Sequence, residues 1–135
     1  MAETIQLEIV TPERLVVNVA AEYIEIPGKT GYLGVLPGHA PLISELAAGE
    51  LTYRVGNQTK RLAVAWGFVE VLQDKVTILA ETAEKAEDID TARAEAAKRK
   101  AEAELQKAGP EGNAQAEAAL ERAVARLEVA AKPKS

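Results

Sequence analysis

The sequence predicts a β + α chain: an N-terminal antiparallel β-sandwich of about 8–10 strands, then a C-terminal antiparallel two-helix hairpin. Three observations predict it. Short apolar runs alternate with polar residues and are punctuated by turn residues through residue 84. That part also holds all five aromatic residues, seven of the nine glycines and four of the six prolines. From Lys85 onward there are sixteen alanines in fifty-one residues and no aromatic. A chain of 135 residues has room for one domain and an appendage. The division therefore falls into a sandwich over 1–84 and a helical arm over 85–135.

The strands follow in order. Ile5, Leu7 and Ile9 alternate with Gln6 and Glu8, the period of a half-buried strand. Ile24 and Ile26 alternate across Glu25, and that run stops at Pro27-Gly28. Leu51, Tyr53 and Val55 lead to Gly56-Asn57, a two-residue hairpin loop that exploits glycine's freedom at positive φ. Gln58–Val64 returns from it. Trp66–Leu72 and Val76–Ala80 form a further pair across Gln73-Asp74. Between Gly28 and Leu42, four glycines and two prolines predict tight turns with little regular pairing.

The helices are marked by their ends. Glu87, Asp88 and Asp90 suit a helix N-terminus, where either aspartate can cap. The first helix spans about 88–108 and stops at Gly109-Pro110; the second spans about 113–131 and stops before Pro133. Ala94, Ala97, Ala101, Leu105 and Ala108 share one face of the first. Ala116, Leu120, Ala123, Leu127 and Ala130 share one face of the second, with Val124 beside them. An alanine seam buries few methylenes at about 0.8 kcal/mol each, while alanine favours helix even undocked. The expectation is a stable hairpin held weakly on the sandwich, as a movable arm requires.

Composition excludes several chemistries. A net charge of −5 argues against a sequence-independent polyanion binder. With no cysteine and one histidine, disulfides, thiolate sites and histidine-rich metal sites are absent from the sequence. No apolar run is long enough to span a bilayer and no signal segment opens the chain, so a soluble protein of a reducing compartment is expected. Gly28-Lys29-Thr30 resembles the end of a phosphate-binding loop, but Tyr23 stands where that motif needs its first glycine. His39 lacks a GxSxG partner serine and reads as a turn residue bonded to loop backbone or touching a partner. Glu95 with Arg99 and Lys100 with Glu104 are ordinary i,i+4 pairs. Arg122 and Arg126 are like charges at that spacing, which call for an anion, an acidic partner or nearby glutamates.

Taken in chain order, these pieces carry a family resemblance. They are Val10-Thr-Pro-Glu-Arg14, the run GYLGVLPGHAPL from Gly31 to Leu42, Gly67-Phe-Val-Glu-Val71, Val76-Thr-Ile-Leu-Ala80, Ala83-Glu84, Asp88-Ile-Asp90 and a closing Arg122-Ala-Val-Ala-Arg-Leu127. The chain resembles the epsilon subunits of F-type ATP synthase over essentially its whole length. Plastid members usually carry asparagine where Gly38 stands, which points to a bacterial member.

The resemblance implies a non-catalytic rotor subunit of the proton-translocating enzyme, coupling the gamma subunit to the c-ring. It implies a c-ring-facing loop of Gly28, Lys29, Thr30, Gly31, Tyr32, Leu33 and Gly34, and a gamma-contact region of His39, Ala40, Pro41 and Leu42. Some relatives carry an acid at Tyr32, so a salt bridge to the c-ring there is not implied. The arm permits turnover when folded and blocks ATP hydrolysis when extended into the alpha and beta subunits, with Arg122 and Arg126 facing acidic residues of beta. Some bacterial relatives bind regulatory ATP through Ile/Leu-Asp-x-x-Arg-Ala. Ile89, Asp90, Arg93 and Ala94 fit that motif with Arg122 and Arg126 available, although the same residues read as a helix cap followed by a hairpin-facing arginine. No metal or nucleic acid is implied, and the location is peripheral, on the cytoplasmic face of the bacterial inner membrane. From the residues alone, a stand-alone β-sandwich binding module with a helical interaction arm remains the alternative.

Overall fold

The computed structural model describes residues 3–131. Pro133, expected to close the second helix, lies outside the described residues. Eight strands precede two helices: β1 (Ile5–Val10), β2 (Leu15–Ala21), β3 (Tyr23–Gly28), β4 (Gly31–Val35), β5 (Leu42–Leu46), β6 (Gly49–Val55), β7 (Gln58–Val71), β8 (Lys75–Lys85), α1 (Thr91–Ala108) and α2 (Ala114–Ala131). Pairing runs β2-β1-β8-β7-β5-β3-β4, and β6 joins both β3 and β7. The strands β3, β6, β7 and β5 thereby close a hydrogen-bonded circuit around the core.

That core is one cluster. Ile5, Leu7 and Ile9 point inward from β1, as their alternation requires, and meet Ile24, Ile26, Leu51, Leu62, Val69, Val71 and Ile78. Every member comes from the strands, so the sandwich core contains no residue of the arm.

Four features depart from the sequence reading. First, Gln58–Val64 and Trp66–Leu72 are not separate strands but one 14-residue strand, β7. It kinks at Trp66 (φ 53°) and Gly67 (φ 130°) without slipping register, since Ala65↔Thr82 and Gly67↔Ala80 keep the same alignment with β8. Before the kink β7 pairs with β6; after it, with β5. The kink is how one strand serves two partners. Second, β1 runs parallel to β8, because strands distant in sequence carry no local hairpin constraint. Third, the turn-rich stretch is more regular than expected. Gly28 to Gly34 is a β-hairpin, with Ile24↔Val35 through Gly28↔Gly31 paired and Lys29-Thr30 at the turn. Fourth, Ala86–Asp88 forms a separate 3₁₀ turn, so α1 begins at Thr91 and not near 88.

The arm follows its caps. The Arg93 backbone N–H donates to Asp90 Oδ1 at 3.1 Å, and the Ala116 N–H donates to Asn113 Oδ1 at 3.1 Å. Gly109 (φ 65°) and Gly112 (φ 73°) turn the chain between the helices. Ala94, Ala101, Ala116 and Ala123 are buried in the hairpin seam, on the faces that the spacing predicted. A second face of α2 packs on β6 and β7, while α1 has no comparable contact with any strand.

Candidate functional site

Two surfaces of the sandwich stand out, and the kink in β7 separates them. Residues paired directly across antiparallel or parallel strands point to the same side of the sheet. Before the kink, Leu62 and Val64 enter the core, so Ala63 and Ala65 face outward, yet both are buried. Ala63 is buried because α2 covers it: it packs with Ala125 and Val129, and Ala86 and Ile89 close the cluster. Four successive buried apolar residues, Leu62-Ala-Val-Ala65, are the signature of a strand covered on both faces. That was the sequence signal for the arm's seat. Ala125 and Val129 lie off the alanine stripe that faces α1, which is why the stripe alone misses them.

The same outward face carries charge. Across the strands, Glu50 of β6, Ala63 of β7 and Glu84 of β8 are register neighbours. Arg61 Nε lies 3.5 Å from Glu50 Oε2. Arg126 Nε donates to Glu84 Oε1 at 2.8 Å, a charge-assisted bond between partly exposed groups. One turn earlier on α2, the Arg122 guanidinium sits 5.3 Å from the centroid of the Trp66 ring, within cation–π range. The like-charged pair, for which sequence left an anion, an acidic partner or nearby glutamates open, has partners within the chain, one arginine a carboxylate and the other an aromatic face.

After the kink the outward face is bare. Leu15 pairs with Val10, Val10 with Leu79, Leu79 with Phe68 and Phe68 with Glu45, so one cross-strand row runs over β2, β1, β8, β7 and β5. Leu15, Leu79 and Phe68 are 51%, 53% and 55% exposed, and Ile43, diagonal to Phe68 on β5, is 72% exposed. At about 4.8 Å per strand the row extends about 19 Å. Glu45 ends it, and Glu70, the register partner of Ile43, borders it. A contiguous apolar strip rimmed by acids is a docking surface in character. Sequence offered the signal that Phe68 and Leu79 are apolar in the outward phase of their strands. An open cleft lined by Lys29, Glu45, Ala47, Trp66, Phe68 and Glu121 separates this strip from α2.

The remaining expected residues are placed as follows. Lys29 and Thr30 form the tip of the β3–β4 hairpin, where Lys29 Nζ approaches Glu45 Oε2 to 3.5 Å. Tyr32 is exposed, and its hydroxyl reaches toward Gly49. His39 Nδ1–H donates to the Ala40 carbonyl at 2.7 Å, the loop-backbone bond that its isolation suggested. Ala40 and Pro41 are exposed at the start of β5, and Leu42 leans on the core. Asp90 and Arg93 are exposed at the start of α1, Ala94 is buried, and Ile89 is part of the arm's apolar seat. Arg122 and Arg126 direct their guanidinium groups to Trp66 and Glu84, not to Asp90 or Arg93. The ligand reading of that motif gains nothing from this geometry. Among the described residues, no group of acids and histidine could hold a metal, and no helix is long and apolar enough to cross a membrane.

Comparison with known proteins supplies the context. Residues 4–86 match the family "ATP synthase, Delta/Epsilon chain, beta-sandwich domain", and residues 87–131 match "ATP synthase, Delta/Epsilon chain, long alpha-helix domain". An ATP synthase epsilon chain of Koribacter versatilis is 63% identical over 111 residues, covering 82% of this chain and 78% of that one. Another, of Geobacter metallireducens, is 48% identical over 134 residues, covering 98% and 97%. Among solved structures, a chain of the Euglena gracilis mitochondrial ATP synthase, resolved as OSCP, F1 and c-ring in a rotational state, superposes with a TM-score of 0.82. It is 27% identical, and the match covers 96% of this chain and 82% of that one.

Proposed function

The chain belongs to the ATP synthase delta/epsilon family as an epsilon chain, a non-catalytic subunit of the enzyme's central stalk, and from that premise we propose how its surfaces are used. The sandwich docks the gamma subunit through the bare row of Leu15, Val10, Leu79 and Phe68, with Ile43 beside it. The neighbouring His39–Leu42 segment extends that contact. The β3–β4 hairpin, with Tyr32 exposed, faces the c-ring. Because Tyr32 is not acidic, that contact is made by an aromatic ring and a hairpin backbone, with Lys29 supplying the charge.

The observation that carries the reading is the division of the outward face at the β7 kink. One half is covered by the arm, and the other is apolar, five strands wide and uncovered. A rotor subunit with a movable arm needs both halves. Docking through the bare half leaves α2 free to leave its own seat, extend toward the alpha and beta subunits and present Arg122 and Arg126 to acidic residues of beta, blocking hydrolysis. The subunit is peripheral and meets the membrane only through the c-ring, on the cytoplasmic face. A match over 98% of this chain and 97% of an ATP synthase epsilon chain supports this reading over a stand-alone binding module.

The test is co-purification with gamma. Wild-type chain should come down with gamma at equal stoichiometry, and Phe68→Asp or Leu79→Asp, on exposed positions that need not fold inward, should abolish it. Equal recovery of gamma with both variants would remove the docking assignment.

A further inference from the structure

The seat of the arm is made mostly of small side chains, which leaves two charged contacts to fix how α2 sits on the strands. Ala63, Ala125 and Val129 meet through methyl groups, and hydrophobic contact, being non-directional, does little to fix the rotation or register of a helix. Arg122 and Arg126 supply what the seam lacks. They stand one turn apart on α2, and each reaches a different strand: Arg122 the ring of Trp66 on β7, and Arg126 the carboxylate of Glu84 on β8. Trp66 is the one non-glycine residue with positive φ among the described residues, and its conformation is held by the kink beside Gly67. A bulky aromatic in that region is strained, and strain that the surrounding structure maintains points to a purpose for the ring's position. Glu84 is the register partner of Ala63, so it stands at the edge of the apolar seat itself.

We infer that Trp66 and Glu84 form a two-point clasp that selects the folded position of the arm and sets how readily it leaves. The same two arginines cannot serve the clasp and an outside acidic surface at once. Release of the arm and arming of its inhibitory face are therefore one event. The regulatory consequence rests on the inhibitory-arm reading above; the clasp itself does not. Because Arg126 and Glu84 are both partly exposed, the ion pair is screened by salt and the arm loosens as ionic strength rises.

The full-length chain carries its own reporter, since Trp66 is its single tryptophan. Amide exchange of α2 and acrylamide quenching of Trp66 are measured on wild-type, Glu84→Gln, Arg122→Gln, the single reversals Glu84→Arg and Arg126→Glu, and the reversed pair that combines them. Glu84→Gln should speed α2 exchange about fivefold, the effect of a partly exposed charge-assisted bond, and open Trp66 to the quencher. Arg122→Gln should do the same. The reversed pair should recover slow exchange relative to either single reversal, and exchange in β1 and β8 should stay at the wild-type rate throughout. Unchanged α2 exchange in Glu84→Gln, or a reversed pair no slower than its single variants, overturns the clasp. In the assembled enzyme, Glu84→Gln should deepen inhibition of ATP hydrolysis. Faster α2 exchange with unaltered hydrolysis would support the clasp and overturn the inhibitory reading, so the two failures are distinguishable.

Discussion

Replacing Gly67 by alanine tests the role of the β7 kink most sharply. At φ 130° an L-residue sits in a region that is essentially glycine's alone, at a cost of about 1–3 kcal/mol. A Cβ there would also lie 1.8 Å from the Leu79 carbonyl oxygen and 2.9 Å from its carbon, both backbone atoms of β8. No rotamer relieves that overlap, so β7 and β8 must part where they pair. Losing one or two ladder bonds adds about 1 kcal/mol each. The expected loss is about 2–5 kcal/mol, a large share of the roughly 5–15 kcal/mol that stabilises an ordinary domain. The control is Gly56→Ala in the β6–β7 turn, where φ is 60° and a Cβ meets nothing within 4 Å. It should cost only the left-handed penalty of about 1–2 kcal/mol. Thermal unfolding followed by circular dichroism reads both: Gly67→Ala should lower Tm by about 10–30 °C and Gly56→Ala by under about 10 °C. Equal shifts for the two would refute the claim that a close backbone approach, and not merely a turn, requires Gly67.

Two further outcomes follow from packing and from protons. Val129→Ala removes two methyl groups from the seat of the arm, worth about 0.8 kcal/mol each plus part of a cavity term, about 2 kcal/mol in all. Exchange in α2 should rise about 30-fold while the sandwich melts as before; an unaltered α2 would mean that Val129 does not hold the arm. Burial, and for Tyr23 a hydrogen bond to Glu25, raise the phenols of Tyr23 and Tyr53 above their usual 10.0. The unfolded chain therefore loses these protons first and binds fewer of them than the folded chain. Stability is full below about pH 10 and falls as pH rises through it, so Tm should drop there, and Tyr23→Phe should reduce the drop. An identical alkaline profile in Tyr23→Phe would contradict that origin.

The sequence made local structure legible and left non-local structure hidden. The alternation in β1, the Gly56-Asn57 turn, the Asp90 cap and the alanine stripes of the hairpin all appear where the residues indicated, because each is decided within about one turn or one strand. Glycine content misled over Gly28–Gly34: glycines that permit loops also permit a tight hairpin, and pairing with β3 decides between them. The continuity of β7 was hidden because Trp66 is a poor candidate for a left-handed backbone, and only exchange of partners from β6 to β5 explains it. The parallel β1–β8 pair and the Arg126–Glu84 contact join residues far apart in sequence, where periodicity is silent. Family resemblance implied which segments would dock and which would form the arm. It did not identify Phe68, Leu79, Trp66 or Val129, which needed the register.

The central claim is that a sandwich able to stand alone carries an arm that restrains hydrolysis. The sandwich core draws no residue from the helices, so removing residues 88–135 should leave it folded. Assembled into the enzyme in place of the full chain, the shortened subunit should preserve coupling of hydrolysis to proton transport and increase the rate of ATP hydrolysis. Coupled enzyme with a hydrolysis rate equal to that of the intact assembly would contradict the account.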